Sequence, residues 1–172
     1  MEELCTSRLI LRPPQPPDAA PLLRHLQQPS VARWWHGYDA QRVWDELIAG
    51  DEDAMVLVIE RAADAKVAGA IQFSEQTDPD YRHAGIDLFL GPDFHGQGLG
   101  QEAIRAVVEY LFDARGHHRI VIDPAAANER AQRTYAKLGF RVVGVMREYE
   151  RGPDGTWHDG VLMELLARDY VR

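Results

Sequence analysis

A glycine-rich segment in the middle of the chain carries the clearest chemical signal. It consists of six consecutive residues, namely His95, Gly96, Gln97, Gly98, Leu99 and Gly100. Glycines at alternate positions let backbone N–H groups approach a phosphate closely, and a helix beginning here adds unpaired donors and a partial positive charge. The segment lacks the lysine of a Walker loop and the spacing of a GxGxxG fingerprint. It predicts a site for a phosphate-bearing ligand, with a plain tight turn as the alternative.

The elements around this segment follow from hydrophobic periodicity. Alternating or β-rich runs predict seven strands, at residues 8–12, 54–60, 66–74, 84–90, 119–122, 140–147 and 157–166. Five helices are expected, capped or opened by Asp18, Ser30, Asp39, Gly98 and Asn128. The Ser30 helix is predicted to end at His36-Gly37, and a hairpin turn at residues 152–155. This order indicates an α/β or α+β protein with a mixed sheet, in a single domain over residues 1–172.

Composition excludes several classes of function. The chain has 172 residues, a formal net charge of −8 and a pI near 5.3, which disfavours a nucleic-acid partner. Its longest apolar run is residues 54–59, too short to span a membrane. The one cysteine, Cys5, is read as incidental, and a cytoplasmic protein is expected. Acids cluster at residues 39–53, 75–93 and 148–159; these are solvated faces or, if they converge, a site for a polycation.

A family resemblance covers residues 7–166. The strand at 85–90, the glycine segment and, further on, Asp123-Pro124, Asn128, Tyr135 and Gly139-Phe140 resemble the acetyl-CoA-binding core of the GCN5-related N-acetyltransferases (GNAT). The family's signature is Gln/Arg-x-x-Gly-x-Gly/Ala, and His95 stands where glutamine or arginine is usual. The resemblance implies acetyl-CoA as acyl donor and no metal. It also implies a mixed central sheet that splays between the fourth and fifth predicted strands, with flanking helices.

The resemblance also assigns cofactor-binding residues. The CoA pyrophosphate would lie on the amides of residues 96–101, and the pantetheine would run alongside residues 87–90 like an added strand. The residues implied, besides the six of the glycine segment, are Leu88, Phe89, Leu90, Gln101, Asn128 and Tyr135.

Two side chains are expected to carry the chemistry. Aminolysis of a thioester needs a neutral amine, but an alkyl amine is mostly protonated at neutral pH. Asp87 is the candidate to accept that proton, directly or through water, and Tyr135 the candidate to protonate the leaving thiolate. An acid inside a strand is expensive to bury without purpose, which favours a functional Asp87. The alternatives are a solvent-facing acid at a strand end and an ordinary core tyrosine.

Within the family, four features resemble the aminoglycoside 6'-N-acetyltransferases: Trp34-Trp35-His36-Gly37, Gly69-x-x-Gln72, Thr77-Asp78-Pro79 leading to Asp87, and Ile122-Asp123-Pro124 before Asn128. That resemblance implies an acceptor site in which a tryptophan stacks on a sugar ring, a glutamine orients the acceptor and acids pair with its ammonium groups. The residues concerned are Trp34, Trp35, Gln72, Asp87, Asp123 and Asp159. For at least one tryptophan, core packing is the alternative. Siderophore-biosynthetic lysine N-acyltransferases, ribosomal-protein Nα-acetyltransferases and a non-catalytic acyl-CoA sensor module remain open.

Three further expectations concern a histidine pair, a helix surface and the oligomeric state. His117-His118 is expected in a solvated turn rather than a metal site. The pair Glu102 and Arg105 is expected on a helix surface. The protein is expected to be a monomer or a homodimer that binds a small cationic substrate.

Overall fold

The computed structural model describes residues 3–50 and 53–172. The predicted acidic cluster at 39–53 therefore includes two acids, Asp51 and Glu52, that lie outside the described residues. The strands are β1 (Leu4–Cys5), β2 (Leu9–Arg12), β3 (Met55–Arg61), β4 (Lys66–Gln76), β5 (His83–Leu90), β6 (Arg119–Ile122), β7 (Arg141–Arg151) and β8 (Trp157–Leu166). The α-helices are α1 (Ala19–Leu26), α2 (Pro29–Ala32), α3 (Ala40–Arg42), α4 (Leu99–Glu109) and α5 (Glu129–Lys137).

The strands form a mixed sheet flanked by helices, in the order β1-β2-β3-β4-β5-β6-β8-β7. This confirms the predicted fold class, with one strand more than expected because the short β1 pairs with β2. The described residues divide into two compact units, the first made of 3–50, 53–74 and 87–107 and the second of 75–86 and 108–172. A single domain over 1–172 stays a prediction. Within residues 3–50 and 53–172, no helix is long and apolar enough to cross a bilayer.

The first unit has its core on one face of β3 and β4. α1 contributes Leu22 and Leu26, and the π-helical turns Val43–Ala49 that continue α3 contribute Val43 and Leu47. These side chains pack with residues of β3, β4 and β5, namely Val56, Val58, Ala70 and Phe89. The cluster fixes α1 and α3 against the sheet face, because interiors pack tightly enough to hold each element in place.

Two helix starts in the first unit differ from expectation. Asp18 precedes α1 but does not cap it, since its carboxylate binds the Arg12 guanidinium at 2.8 and 2.9 Å and accepts from the Gln15 N–H. α2 begins at Pro29 and ends at Ala32, well before His36-Gly37. Asp39 does cap α3 as predicted, accepting from the Arg42 N–H at 2.8 Å.

The second unit is built on a parallel pair and a long hairpin. β5 pairs in parallel with β6 at Ala84↔Ile120 and Gly85↔Val121. β6 pairs with β8, and β7 with β8, both antiparallel. The β7–β8 turn includes Gly155 with a positive φ of 79°, as the predicted turn at 152–155 requires.

Gly69 offers a test of the packing between β4 and β5 in the first unit. A Cβ added at Gly69 would lie 2.0 Å from the Phe89 carbonyl oxygen. We expect Gly69→Ala to destabilise the protein by about 1–3 kcal/mol, the usual range for overpacking. Urea unfolding measures this. Gly144→Ala in β7 is the matched control, since nothing lies within 4 Å of its added Cβ, and an equal loss in both variants would contradict the packing argument.

Candidate active site

The glycine segment forms the turn that the sequence predicts. Gly96 and Gly98 adopt φ values of 73° and 77°, which strongly favour glycine. α4 begins directly after them, and its first backbone bond runs from the Glu102 N–H to the Gly98 carbonyl at 3.1 Å. The N–H groups of residues 99–101 precede that bond and have no partner within the helix. The turn and the helix start thus offer a cluster of donors suited to an anionic group.

The side chains of the segment hold the turn in place. His95 Nε2 lies 2.8 Å from the Leu90 carbonyl oxygen at the end of β5. Gln97 Nε2 donates to the Asp93 carbonyl at 2.6 Å, and the Leu99 side chain is buried. Because these side chains are engaged or buried, the surface that the turn offers to a ligand is its backbone. His95 in place of the family's glutamine or arginine is therefore compatible with that surface.

β5 presents two different faces beside this turn. Leu88 and Leu90 point towards the start of α4, and a Cβ added at Gly100 would lie 3.4 Å from Leu90 Cδ1 and 3.8 Å from Leu88 Cδ1. Phe89 points to the opposite face and is buried among the residues of α1 and α3. Of the predicted cofactor contacts on β5, Phe89 can therefore offer only its backbone.

Asp87 lies on the Phe89 face of β5, two residues earlier in the strand. Its side chain is exposed, and its Oδ1 accepts from the Leu88 N–H at 2.9 Å. The structure thus shows the solvent-facing acid that the sequence left open as the alternative to a buried one, since on this face of β5 Phe89 is buried and Asp87 is not. An exposed carboxylate remains accessible to a substrate amine or to a water that carries its proton.

The two predicted tryptophans have different surroundings. The Trp35 ring packs against Phe89 at a centroid distance of 5.0 Å and against Tyr38 at 6.0 Å. Trp34 is half-buried, with the Arg33 guanidinium 4.4 Å above its ring. Trp35 therefore joins the core from the Asp87 face of the sheet, which is the alternative that the sequence left open for one of the pair.

A polar group beside Trp35 was missed by the sequence reading. The Tyr38 hydroxyl donates to Glu46 at 2.8 Å, and Arg42 Nε donates to the other Glu46 oxygen at 2.7 Å. Burial raises the pKa of Tyr38 above its ordinary value, and the Glu46 hydrogen bond and the charges of Glu46 and Asp87 raise it further. Tyr38 thus stays protonated near the Asp87 carboxylate. The signal in the sequence was its spacing of three residues from Trp35.

Gln72 shares this face of the sheet. It lies directly opposite Val56 of β3 and two residues beyond Ala70, both of which belong to the core under α1 and α3. Its side chain is half-buried. The first unit therefore brings Asp87, Trp35 and Gln72 to one sheet face, while the start of α4 lies against Leu88 and Leu90 on the other face.

The second unit holds the remaining predicted residues. Asn128 caps α5, since its side chain accepts from the Ala131 N–H at 3.2 Å. Tyr135 lies in α5, is 8% exposed and packs against Phe140 at 6.2 Å. This confirms Asn128 as the helix cap, and the capping role occupies one lone-pair direction of its side-chain oxygen.

The backbone segments of two predicted acceptor residues, Asp123 and Asp159, run side by side in the second unit. An isolated antiparallel bridge joins Ala125 and Gly160, and the Ala126 N–H donates to the Asp159 carbonyl at 2.8 Å. Asp123 therefore ends its strand beside the segment that carries Asp159. The Asp159 carboxylate is exposed and accepts from the N–H of Glu148, which has a positive φ of 51°.

His117 contradicts the expectation of a solvated turn. Its side chain is 1% exposed, and its Nε2 lies 2.6 Å from a Glu75 carboxylate that also pairs with Arg115 at 2.9 Å. Burial would raise the pKa of Glu75, but the hydrogen bonds from Arg115 and His117 lower it below its usual value. His117 thus ties the end of β4 to the start of β6. In the part of the chain that the structure describes, no three metal-ligating side chains cluster.

Other acids of the predicted clusters are also engaged locally. Arg42 and Tyr38 occupy Glu46, Gln41 donates to Asp45, and Thr156 and His158 bind Asp154. The Arg42 guanidinium therefore offsets the charge of Glu46, and the hydrogen bonds to the other acids leave fewer of their oxygens open to a ligand.

Comparisons with known proteins agree with this geometry. Residues 8–141 match the family described as Acetyltransferase (GNAT) domain. The chain is 30% identical over 155 residues to Aminoglycoside N(6')-acetyltransferase type 1 of Klebsiella pneumoniae, covering 80% of this chain and 74% of that protein. It is 28% identical over 106 residues to the [Ribosomal protein uS5]-alanine N-acetyltransferase of Escherichia coli, covering 62% of this chain and 54% of that protein.

A solved structure shares the fold. Spermidine N-acetyltransferase from Vibrio cholerae, in complex with CoA and spermine, superposes with a TM-score of 0.80 at 20% identity, over 97% of this chain and all of that one. The match to the family over residues 8–141 and the relative at 30% identity lead to one conclusion: this protein belongs to the GNAT family of acetyltransferases.

Proposed function

We propose that this GNAT acetyltransferase moves the acetyl group of acetyl-CoA to the 6'-amine of an aminoglycoside. The observation that carries the proposal is the placement of the exposed Asp87 carboxylate on the same sheet face as Trp35 and Gln72, in the strand that leads to the glycine turn. A carboxylate, an aromatic edge and an amide suit a cationic sugar. The identity of 30% to an enzyme of that name supports the choice.

The reaction divides between a base and an acid. Asp87 takes a proton from the acceptor's ammonium, directly or through water, at a cost of about 1.4 kcal/mol for each unit by which the amine pKa exceeds the pH. The neutral nitrogen attacks the thioester carbonyl, the C–S bond breaks and CoA leaves as a thiolate. Tyr135 supplies the proton to that sulfur, and the second proton, which the nitrogen loses as the amide forms, restores the Tyr135 hydroxyl. No covalent acetyl-enzyme is formed, so an acetylated protein isolated in the absence of acceptor would contradict this route.

The turn and the acids have separate tasks in the proposal. The N–H groups of residues 96–101 hold the CoA pyrophosphate, with the pantetheine along Leu88, Phe89 and Leu90. Asp123 and Asp159 pair with ammonium groups of the acceptor, and Trp34, which is not part of the core cluster, stacks on a sugar ring.

A panel of acceptors tests the proposal. Thiol release from acetyl-CoA is measured with kanamycin-like aminoglycosides, N6-hydroxylysine, spermidine and a peptide with a free alanine N-terminus. We expect turnover with the aminoglycosides. Turnover confined to the peptide would assign the chain to the activity named for its 28% identical relative. Binding of acetyl-CoA without turnover of any amine would favour a sensor module.

Asp159 gives a prediction about acceptor binding. We expect Asp159→Asn to raise the acceptor KM about 3- to 10-fold with little change in kcat, because a binding charge is lost and no reacting group is altered. Asparagine keeps an oxygen for the Glu148 N–H, which alanine would not. Added salt should raise the wild-type KM for the acceptor and so reduce the difference in KM between wild type and Asp159→Asn, since the Debye length falls from about 10 Å at 0.1 M to 3 Å at 1 M. An unchanged KM would remove Asp159 from the acceptor site.

A further inference from the structure

The segment before β2 reaches the glycine turn through one arginine. Arg8 Nη1 donates to the Gln97 carbonyl at 2.8 Å, and its Nε and Nη2 each lie 2.6 Å from Glu102 Oε2. The same guanidinium therefore contacts both the glycine turn, at Gln97, and the first helical turn of α4, at Glu102. The Arg8 side chain remains 49% exposed, so one side of it faces solvent.

Glu102 is surrounded by donors from three successive residues. Its Oε1 accepts from the Thr6 hydroxyl at 2.6 Å, from the Ser7 hydroxyl at 3.1 Å and from the Arg8 N–H at 2.9 Å. Burial would raise the pKa of Glu102, but these hydrogen bonds lower it below its usual value. The acid is thus ionised and fully engaged, and the expected surface pair with Arg105 is not what the structure shows.

An ionised acid at this position would oppose an anionic ligand. Glu102 is the fourth residue of α4, within the first turn whose N–H groups attract a phosphate. Its negative charge would repel a pyrophosphate at the same helix end unless a cation cancels it. Arg8 provides that cation at 2.6 Å.

The bond to Gln97 also orients the turn. In a trans peptide the C=O and the following N–H point in opposite directions. Because the Gln97 carbonyl points at Arg8, the Gly98 N–H points away from the guanidinium, to the other side of the turn. A turn with Gly98 at a positive φ can adopt this peptide orientation without strain.

We propose that Arg8 is a positioning residue for the pyrophosphate of acetyl-CoA, acting by orienting the Gln97–Gly98 peptide and by cancelling the charge of Glu102. The inference rests on the proposed function in that the glycine turn binds acetyl-CoA. It adds a residue from the opening strand region, 90 positions before Gly98, to the cofactor site.

The test compares two acetyl donors. Acetyl-pantetheine has the same thioester as acetyl-CoA but no pyrophosphate. We expect Arg8→Ala to raise the KM for acetyl-CoA and the Kd for CoA about 10- to 100-fold, the scale of a lost charge-assisted bond. The KM for acetyl-pantetheine, the KM for the amine and kcat at saturation should stay within about 3-fold. The KM for acetyl-CoA and the Kd for CoA of Arg8→Lys should lie between those of wild type and Arg8→Ala, because lysine keeps the charge but cannot bond Gln97 and Glu102 at once as the guanidinium does.

Two further variants separate positioning from general stability. Adding Glu102→Gln to Arg8→Ala should recover part of the CoA affinity, since it removes the uncompensated charge. Arg168→Ala, which removes an exposed arginine near the C-terminus, should change the KM of neither donor. An equal loss for both donors, or no loss for CoA, would overturn the proposal. Calorimetric measurement of CoA binding needs no acceptor, so a loss of CoA affinity in Arg8→Ala supports the Arg8 role even if no aminoglycoside is acetylated. If instead aminoglycosides are acetylated and Arg8→Ala has the wild-type KM for acetyl-CoA, the Arg8 role alone is overturned.

Discussion

Replacing Asp87 with asparagine is expected to lower kcat/KM for the amine by about 10²-fold or more, the scale of general-base catalysis. The amide has almost the same shape but cannot accept the ammonium proton. Asp87 is exposed in β5, so the substitution should leave the thermal unfolding midpoint almost unchanged. Thiol release at saturating acetyl-CoA, with the amine varied, measures the loss.

A matched control separates the base from the charge. Asp113→Asn removes the same charge from an exposed aspartate whose partner is Arg172, and its kcat/KM should equal that of the wild type. The CoA dissociation constant should also be unchanged in Asp87→Asn. If the kcat/KM of Asp87→Asn stayed within about 3-fold of the wild-type value, a group other than Asp87 would have to accept the ammonium proton, which would contradict the proposed mechanism.

The largest expected effect on stability comes from Arg12. Its guanidinium binds Asp18 through two nitrogens at 2.8 and 2.9 Å and Glu60 through Nε at 2.8 Å. Asp18 is only 4% exposed. Arg12→Ala would leave this carboxylate buried without its cation, and we expect a loss of about 3–5 kcal/mol in the free energy of unfolding. Arg172→Ala, which breaks an exposed ion pair with Asp113, should have little effect in the same urea titration.

The pH dependence of the Asp18 contribution has a definite sign. Burial would raise the pKa of Asp18, but the hydrogen bonds from Arg12 and from the Gln15 N–H lower it below its ordinary value. Its ionised form therefore stabilises the fold above the unfolded pKa of about 3.9, and this stabilisation is lost as the pH falls through the folded pKa. The stability difference between wild type and Asp18→Asn should be constant near neutral pH and shrink below about pH 4. A difference that grows in acid would contradict the ion pair.

Local patterns predicted the parts of this protein that depend on local chemistry. The glycine turn, the Asn128 cap and the β7–β8 turn follow from residue types at short spacing, which is why they could be found in the sequence. The tertiary partners of charged residues could not. Asp18 suits a helix cap, but its carboxylate pairs instead with Arg12, on the other side of the proline-rich segment, and makes no capping bond.

The same reason explains the other errors. His117 has no pattern that marks it as buried, because its partner Glu75 is 42 residues away in the chain. Glu102 has a local basic neighbour in the sequence, whereas its actual partners lie 94 to 96 residues earlier. Asp87 was placed on the right strand, but alternation did not show that its face of β5 is covered at Phe89 and open at Asp87.

One comparison tests the proposed acceptor most directly. Two aminoglycosides that differ only at the 6' position, one with an amine and one with a hydroxyl, are offered to the enzyme at saturating acetyl-CoA, and thiol release is followed with mass analysis of the product. We predict rapid turnover of the amine with a single added acetyl group on the 6' nitrogen, and turnover at least about 10²-fold slower for the hydroxyl analogue. Equal turnover of the two compounds, or none of either, would contradict the proposed function.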